Sequence, residues 1–437
     1  MSTVAAKLPG TEARSGPSGE GDARRVRTGA AATLRVLQSV PSYYPAFVYG
    51  GPIFSIHYLS EAVARLGLAV SVATTNANGA TRLAVRTDQP VPFAPNYSVS
   101  YYDDTIIGRF SWAFTRNIWK HVRAADVVHL QDIYSTYAAL TLAAAWLARK
   151  PVLMSPRGSL SVWALTAKRA SVKRLWLKLL FLPLMRDRRR VAWHATSAAE
   201  RDETLAVAPG ARVRVIPNGM DCSAYDARPR PDRAEYARRF LPEGLVLEPG
   251  ARVLACLGRL HNKKCFDIAI RAFALMRPSD GGKGHPGDVL LIAGGDDGAR
   301  NDLEALVSEL GLAARVIFVG EIKGDDKIAF LKGADLFLFP THNENFGMSC
   351  LEALEAGTPV VSSRNAPWQE LETSGAGFWV DNTPEAFARA AEELLARDPA
   401  SLRTQARALA GRYDLTVIAA EMRDLYIELS EGGPSER

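Results

Sequence analysis

The sequence predicts an α/β protein made of two doubly wound parallel-sheet domains facing a cleft. Short β-branched runs alternate with helix-sized segments, the alternation runs twice, and 437 residues exceed one ordinary core. The first series opens with the apolar strand LRVLQSV (34–40). In GGPIFSIHYLSEAVARLG, which follows, Ile56, Leu59, Val63 and Leu66 recur at helical spacing, and Gly67 stands where a helix stops. LAVSVATT (68–75), DVVHLQ (126–131), PVLMSP (151–156) and VAWHATS (191–197) continue the series as strands. The second series starts at RVLACLG (252–258) and runs through DVLLIAGG, RVIFVG, DLFLFP and TPVVSS, each followed or preceded by a helix-sized insert. The expected organisation is a disordered tail over 1–32 and a Rossmann-like amino-terminal domain over 33–205. A second Rossmann-like domain follows over 206–410, joined near RVIPNGMDCSAYD (214–226). A last helix over 411–430 is free to pack across either domain, including back onto the first, and 431–437 form a second tail.

Apolar content of 47% and charged content of 23% are those of a globular chain. Four scattered cysteines with no CxxC pair fit reduced thiols in a cytoplasm, not a disulfide frame or a zinc site. No apolar run reaches the ~18 residues needed to span a bilayer, and the amino-terminal stretch lacks the apolar segment of a secretory signal. The net charge of +6 is local: residues 167–190 hold nine basic residues and one acid, leaving the rest slightly acidic. That argues against a general nucleic-acid binder and for one basic surface element.

The densest chemistry lies in NENFGMSCLEALEAG (343–357). DLFLFPT reads as a buried strand, so HNENFG is the loop at its carboxyl end, where open α/β sheets bind ligands. A helix beginning near Gly347 offers unpaired amides to an anion. Glu344 and Glu352 flank that start and would repel phosphate, so they suit hydroxyl groups instead. A ligand with phosphate in the middle and hydroxyls at both ends is a sugar nucleotide. CLGRLHNKKCFD (256–267) repeats the strand–loop–helix pattern with Arg259 and Lys264, cations able to stabilise a departing diphosphate. Lys263 is the second choice for the lysine role.

These stretches, with YGGPIFSIHYLSEAVARLG, VIPNGMD, IAGGDDG and PWQEL, resemble the retaining glycosyltransferases of family 4 (glycosyltransferase group 1, GT-B fold) over residues 33–430. The resemblance implies that Glu344 contacts the donor sugar and Glu352 the ribose. Arg259 and Lys264 would hold the diphosphate, with the amides of Phe346, Gly347 and Met348. Gly51 would let the first domain approach it, and Ile322 would lie against the base. It further implies transfer of a sugar, read as hexose-type, from a nucleotide-sugar donor to a glycan acceptor, with no cofactor and no metal. The sequence departs from the family at Cys265, where glycine is usual, and in SPRGSL, where Arg157 stands near the usual histidine. Arg157 and Asp132, at a strand end, are acceptor-side candidates. His129 reads as a satisfied core residue. The acidic pairs in YYDDT and GGDDG are not assigned to a metal, because Arg259, Lys264 and the helix start already supply positive charge.

ASVKRLWLKLLFLPLMRDRRR (170–190) reads as a basic amphipathic helix against an anionic membrane. Val172, Leu175, Trp176 and Leu179 form the stripe expected to pack on the core. Leu177 and Phe181 are expected to project outward among Lys173, Arg174 and Lys178. This implies a cytoplasmic enzyme peripheral on the inner face of the cell membrane, and suits a lipid-linked acceptor and hence cell-surface polysaccharide biosynthesis. Two other readings use the same features: a sugar-nucleotide epimerase needing no acceptor, and a noncatalytic membrane-surface or nucleic-acid binding protein using the basic segment.

Overall fold

A computed structural model describes residues 33–104, 110–166, 170–276 and 284–432; the tail expected over 1–32, and all but the first two residues of that expected over 431–437, lie outside the described residues. The first sheet is built from β1 (Arg35–Ser42), β2 (Ala69–Thr75), β5 (Pro90–Ala94), β6 (Tyr97–Tyr102), β7 (Val127–Leu130), β8 (Val152–Met154), β9 (Val191–Ala195) and β10 (Val213–Val215). Between them, β3 (Ala77–Asn78) and β4 (Thr81–Arg82) form a small antiparallel ribbon. The eight strands run in the order β10-β9-β8-β7-β1-β2-β6-β5, all parallel except the edge strand β5. The second sheet is wholly parallel, in the order β13-β12-β11-β14-β15-β16. Its strands are β11 (Val253–Leu257), β12 (Val289–Ala293), β13 (Val316–Gly320), β14 (Leu336–Phe339), β15 (Val360–Ser363) and β16 (Gly377–Val380).

Parallel strands need crossovers, and helices on both faces bury the sheets, as the near-continuous apolar strands require. In the first domain one face is covered by the helices Gly51–Arg65 and Leu415–Ser430. The opposite face carries Trp112–Ala124, Thr136–Leu147 and the helical run of residues 170–184. The last helix thus crosses back onto the first domain, burying Ile418, Met422, Leu425, Tyr426 and Leu429 there.

Two expectations are corrected. The second domain does not start at 206: β10 pairs with β9, so the first sheet extends through Val215. Three residues with only Val213 half-buried give too weak a pattern to read as a strand. The 170–184 helix is also turned from the expected orientation: Trp176 packs on the core as expected, but Leu177 and Phe181 join it there while Val172, Leu175 and Leu179 do not. It runs Ala170–Trp176, then a π-helical turn Leu177–Phe181, then Leu182–Leu184. Leu177 and Phe181 are 4% and 0% exposed, whereas Val172, Leu175 and Leu179 are 62%, 57% and 66% exposed. With Trp176 inward in either orientation, turning Leu177, Phe181 and Leu184 inward removes more apolar area from water than turning Val172, Leu175 and Leu179 inward, the Phe181 ring making the difference.

Candidate active site

The site is built from strand ends of the second sheet. β14 stops at Phe339, and the chain passes through a loop into the helix Met348–Glu355. Gly347 at the helix start has φ +90°, and a Cβ there would stand 2.8 Å from the Phe339 ring and 3.0 Å from Trp368 Nε1. Only glycine makes this turn. No side chain caps this helix start, which leaves its dipole end for an anion. Phe346 is buried against Trp368 and Tyr413, and its carbonyl accepts from Trp368 Nε1 at 2.6 Å, so the loop rests on a rigid aromatic base.

Glu344 and Lys264, eighty residues apart in sequence, meet here: Lys264 Nζ donates to Glu344 Oε2 at 2.6 Å, with side chains 22% and 17% exposed. Burial works to raise the Glu344 pKa. The charge and hydrogen bond of Lys264, the Lys263 charge and the Asn345 amide outweigh it and hold the carboxyl below its ordinary value. Glu352, on the helix itself, pairs with Lys327 at 2.6 Å. The sequence reading did not identify Lys327; nothing local marks it, because the helix Gly324–Gly333 brings it to Glu352 only in the folded domain. Ile322 sits just before that helix, half-buried on the domain core. Arg259, at the end of β11, is exposed and pairs with Asp297 of GGDDG at 2.9 Å, outside the Lys264–Glu344 pair.

Cys265 adopts the left-handed conformation, φ +50°, although it is not glycine. The loop therefore keeps a turn that glycine makes at lower cost, with the buried thiol contacting the carbonyls of Asn262 and Lys263.

The first domain closes onto this loop. Gly51 begins the helix Gly51–Arg65, and a Cβ there would lie 3.9 Å from Met348 Cγ. Asn345 donates to Thr196 Oγ1 at 2.8 Å, and its side chain abuts Gly158. Neither Asn345 nor Thr196 was picked out from the sequence.

Arg157 lies at the junction. Its Nε donates to Gln131 at 3.0 Å and one terminal nitrogen to Asn218 at 2.7 Å, while the other is buried without a hydrogen-bond partner. Burial pushes its pKa down, against the opposing charge of Glu200. Behind it runs an ordered chain. His194 Nε2 donates to the Ile216 carbonyl, so its Nδ1 accepts from Ser155. Ser155 then accepts from His129 Nε2, and His129 Nδ1 accepts from Tyr426, each contact being 2.7 Å. Burial keeps both imidazoles neutral, His194 being pushed down to about 3. His129 is a satisfied core residue. The Asp132 carboxylate accepts from the amides of Tyr134 and Ser135, capping its own loop. Glu355, one turn beyond Glu352, is 1% exposed and faces Arg407 at 3.0 Å, away from the loop. Among the described residues no group of three or more His, Cys, Asp or Glu side chains is arranged to hold a metal ion.

Residues 49–224 match the model for Glycosyltransferase Family 4, and residues 238–410 match that for Glycosyl transferases group 1. D-inositol 3-phosphate glycosyltransferase of Mycolicibacterium gilvum is 32% identical over 199 residues, 44% of this chain and 41% of that protein. 2-Deoxystreptamine glucosyltransferase of Streptomyces kanamyceticus is 35% identical over 171 residues, 38% of this chain and 41% of its own. The matched stretch thus spans about two-fifths of each of these relatives. The crystal structure of Anabaena HepE in complex with UDP and glucose shares the fold over 90% of this chain and 100% of its own, with a TM-score of 0.68 and 19% identity. That of WaaG, a glycosyltransferase involved in lipopolysaccharide biosynthesis, does so over 90% and 99%, with a TM-score of 0.59 and 16% identity. Matched in both halves, and built of two doubly wound domains whose helix starts at Gly51 and Met348 approach each other, the chain belongs to the group 1, family 4 glycosyltransferases.

Proposed function

We propose that the protein transfers a hexose-type sugar from a nucleotide-sugar donor with retention of anomeric configuration and without a metal. The observation that carries this reading is the Lys264–Glu344 pair beside an uncapped helix start that faces Gly51. Lys264 and the helix amides favour diphosphate, Glu344 favours a sugar hydroxyl, and Glu352 with Lys327 favours the ribose. Arg259 adds positive charge at the rim. The bond from the anomeric carbon to the diphosphate breaks, the acceptor oxygen attacks the same face, and a diphosphate oxygen takes the acceptor proton.

The acceptor side is assigned to the Arg157 region. A buried guanidinium with one unpartnered nitrogen and no carboxylate in ion-pair contact among the described residues suits an anionic or polyhydroxylated acceptor. That D-inositol 3-phosphate glycosyltransferases are related to this chain supports an acceptor that presents phosphate or hydroxyl groups there. The exposed apolar stripe of the 170–184 helix with Arg174 and Lys178 supports a lipid-linked acceptor in cell-surface polysaccharide assembly at the cytoplasmic leaflet. No helix among the described residues is long and apolar enough to cross a membrane.

A thermal-shift screen against nucleotide sugars tests the donor reading, since ligands that bind only the folded state raise its apparent stability. A shift is expected with at least one nucleotide sugar and is lost in Lys264→Ala. No shift with any would remove the donor site. Incubation of that donor alone should leave its sugar unisomerised; a new epimer would assign the site to epimerisation instead.

A further inference from the structure

The basic helix does not stand alone. The helices Trp112–Ala124 and Thr136–Leu147 and the 170–184 run bury their inner faces in one cluster on the same side of the first sheet. Their outer faces therefore look the same way. None of the three contains an Asp or Glu. Across residues 105–186 there are thirteen Lys and Arg against only Asp126 and Asp132.

The outer faces are apolar as well as basic. On Trp112–Ala124 the exposed positions are Trp112, Arg116, Trp119, Lys120 and Arg123, with Ala124 closing the helix. The first five recur at i, i+4, i+7, i+8 and i+11, a single face. Trp146 and Leu147, 57% and 64% exposed, end the middle helix and are followed by Arg149 and Lys150. Val172, Leu175 and Leu179 complete the layer beside Arg174 and Lys178. Among the described residues, the three tryptophans that are more than a third exposed, Trp112, Trp119 and Trp146, all lie here.

We propose that this whole three-helix layer is one docking face for an anionic lipid bilayer, with Trp112–Ala124 as a second anchoring element beside the 170–184 helix. The inference rests on the membrane reading above and extends it. Tryptophan and aliphatic side chains interleaved with Lys and Arg suit the headgroup region, where rings and stems enter the apolar boundary and charges meet lipid phosphate. A nucleic-acid surface has no use for exposed Val172, Leu175 and Leu179. A second copy of the chain meeting the same face would set basic against basic. Trp112 opens its helix, at the cleft end of the layer, and Trp146 lies near the end of its helix, at the far end. Anchors at both ends lay the helices flat on the bilayer, so that the cleft opens along the membrane.

Co-sedimentation with phosphatidylcholine vesicles, with and without phosphatidylglycerol, tests this on the full chain. Binding should require the anionic lipid and weaken in high salt. Each basic residue removed should lower partitioning about fivefold. Arg116→Gln/Lys120→Gln/Arg123→Gln should therefore lose about a hundredfold, and Arg174→Gln/Lys178→Gln about twenty-five-fold. Brominated acyl chains should quench tryptophan fluorescence in the parent and less so in Trp112→Phe/Trp119→Phe. If the Arg174/Lys178 variant loses binding while the triple variant binds like the parent, with unchanged quenching in the tryptophan variant, the second anchor is refuted and the 170–184 reading stands. A parent that binds neither vesicle, or that binds duplex RNA more tightly than anionic vesicles at the same ionic strength, overturns both.

Discussion

Removing Lys264 tests whether its pair with Glu344 is a site or only a strut. The two groups are 2.6 Å apart with side chains 22% and 17% exposed. Exposed pairs contribute about 0–1 kcal/mol, and removing one partner of a fully buried pair costs about 3–5 kcal/mol. At this intermediate burial Lys264→Ala should cost about 2 kcal/mol, mostly by leaving the Glu344 carboxylate unpaired. Lys264→Ala/Glu344→Ala should then lose less than the sum of the single losses, by about 1 kcal/mol, in urea unfolding followed by tryptophan fluorescence. The Glu344 pKa is depressed in the folded state, so its contribution is present above the unfolded carboxylate value of about 4.3 and is lost as pH falls through the lower folded value. Lys264→Ala should flatten that acid-side decline. Turnover should behave differently. Each single variant should lose roughly 10²–10³ in rate, and the double variant should recover none of it. A double variant with near-parental turnover would refute the site, because restoring stability alone would have restored activity. Strictly additive stability losses would refute the pairing.

Gly347→Ala should cost about 2–4 kcal/mol in the same unfolding assay, since its φ of +90° and the 2.8 Å approach to Phe339 leave no room for a methyl group; a loss under about 0.5 kcal/mol would contradict the turn. Glu355→Ala should reduce turnover far less than Glu344→Ala, because its side chain faces Arg407 and not the loop, and equal loss would move the site. Burial raises the Glu355 pKa, so this carboxyl weakens folding as pH rises from about 4.3 through its folded value, and Glu355→Gln should remove that decline in a pH series. Activity should persist in excess EDTA, and the product should keep the donor's anomeric configuration by NMR; an absolute divalent requirement or an inverted linkage would contradict the mechanism.

Much of this protein is legible in local pattern. Buried parallel strands such as Leu336–Phe339 are apolar throughout, and amphipathic helices repeat near 3.6 residues, so both series and the loop before Met348 can be read from short windows. Glycine at 347, with glutamates before it and one turn after it, marks a ligand-binding helix start without knowledge of the fold. Tertiary structure alone decided which side chains meet. Lys327 reaches Glu352 across 25 residues, Asn345 reaches Thr196 across 149, and Tyr426 reaches His129 across 297. No sequence window contains such pairs, because domain packing sets them. The same holds for the 170–184 helix, whose two apolar stripes were both visible in the sequence. Trp176 packs on the core in either case; the core took Leu177 and Phe181 with it because the larger area gains more from leaving water, and Val172, Leu175 and Leu179 stayed outside.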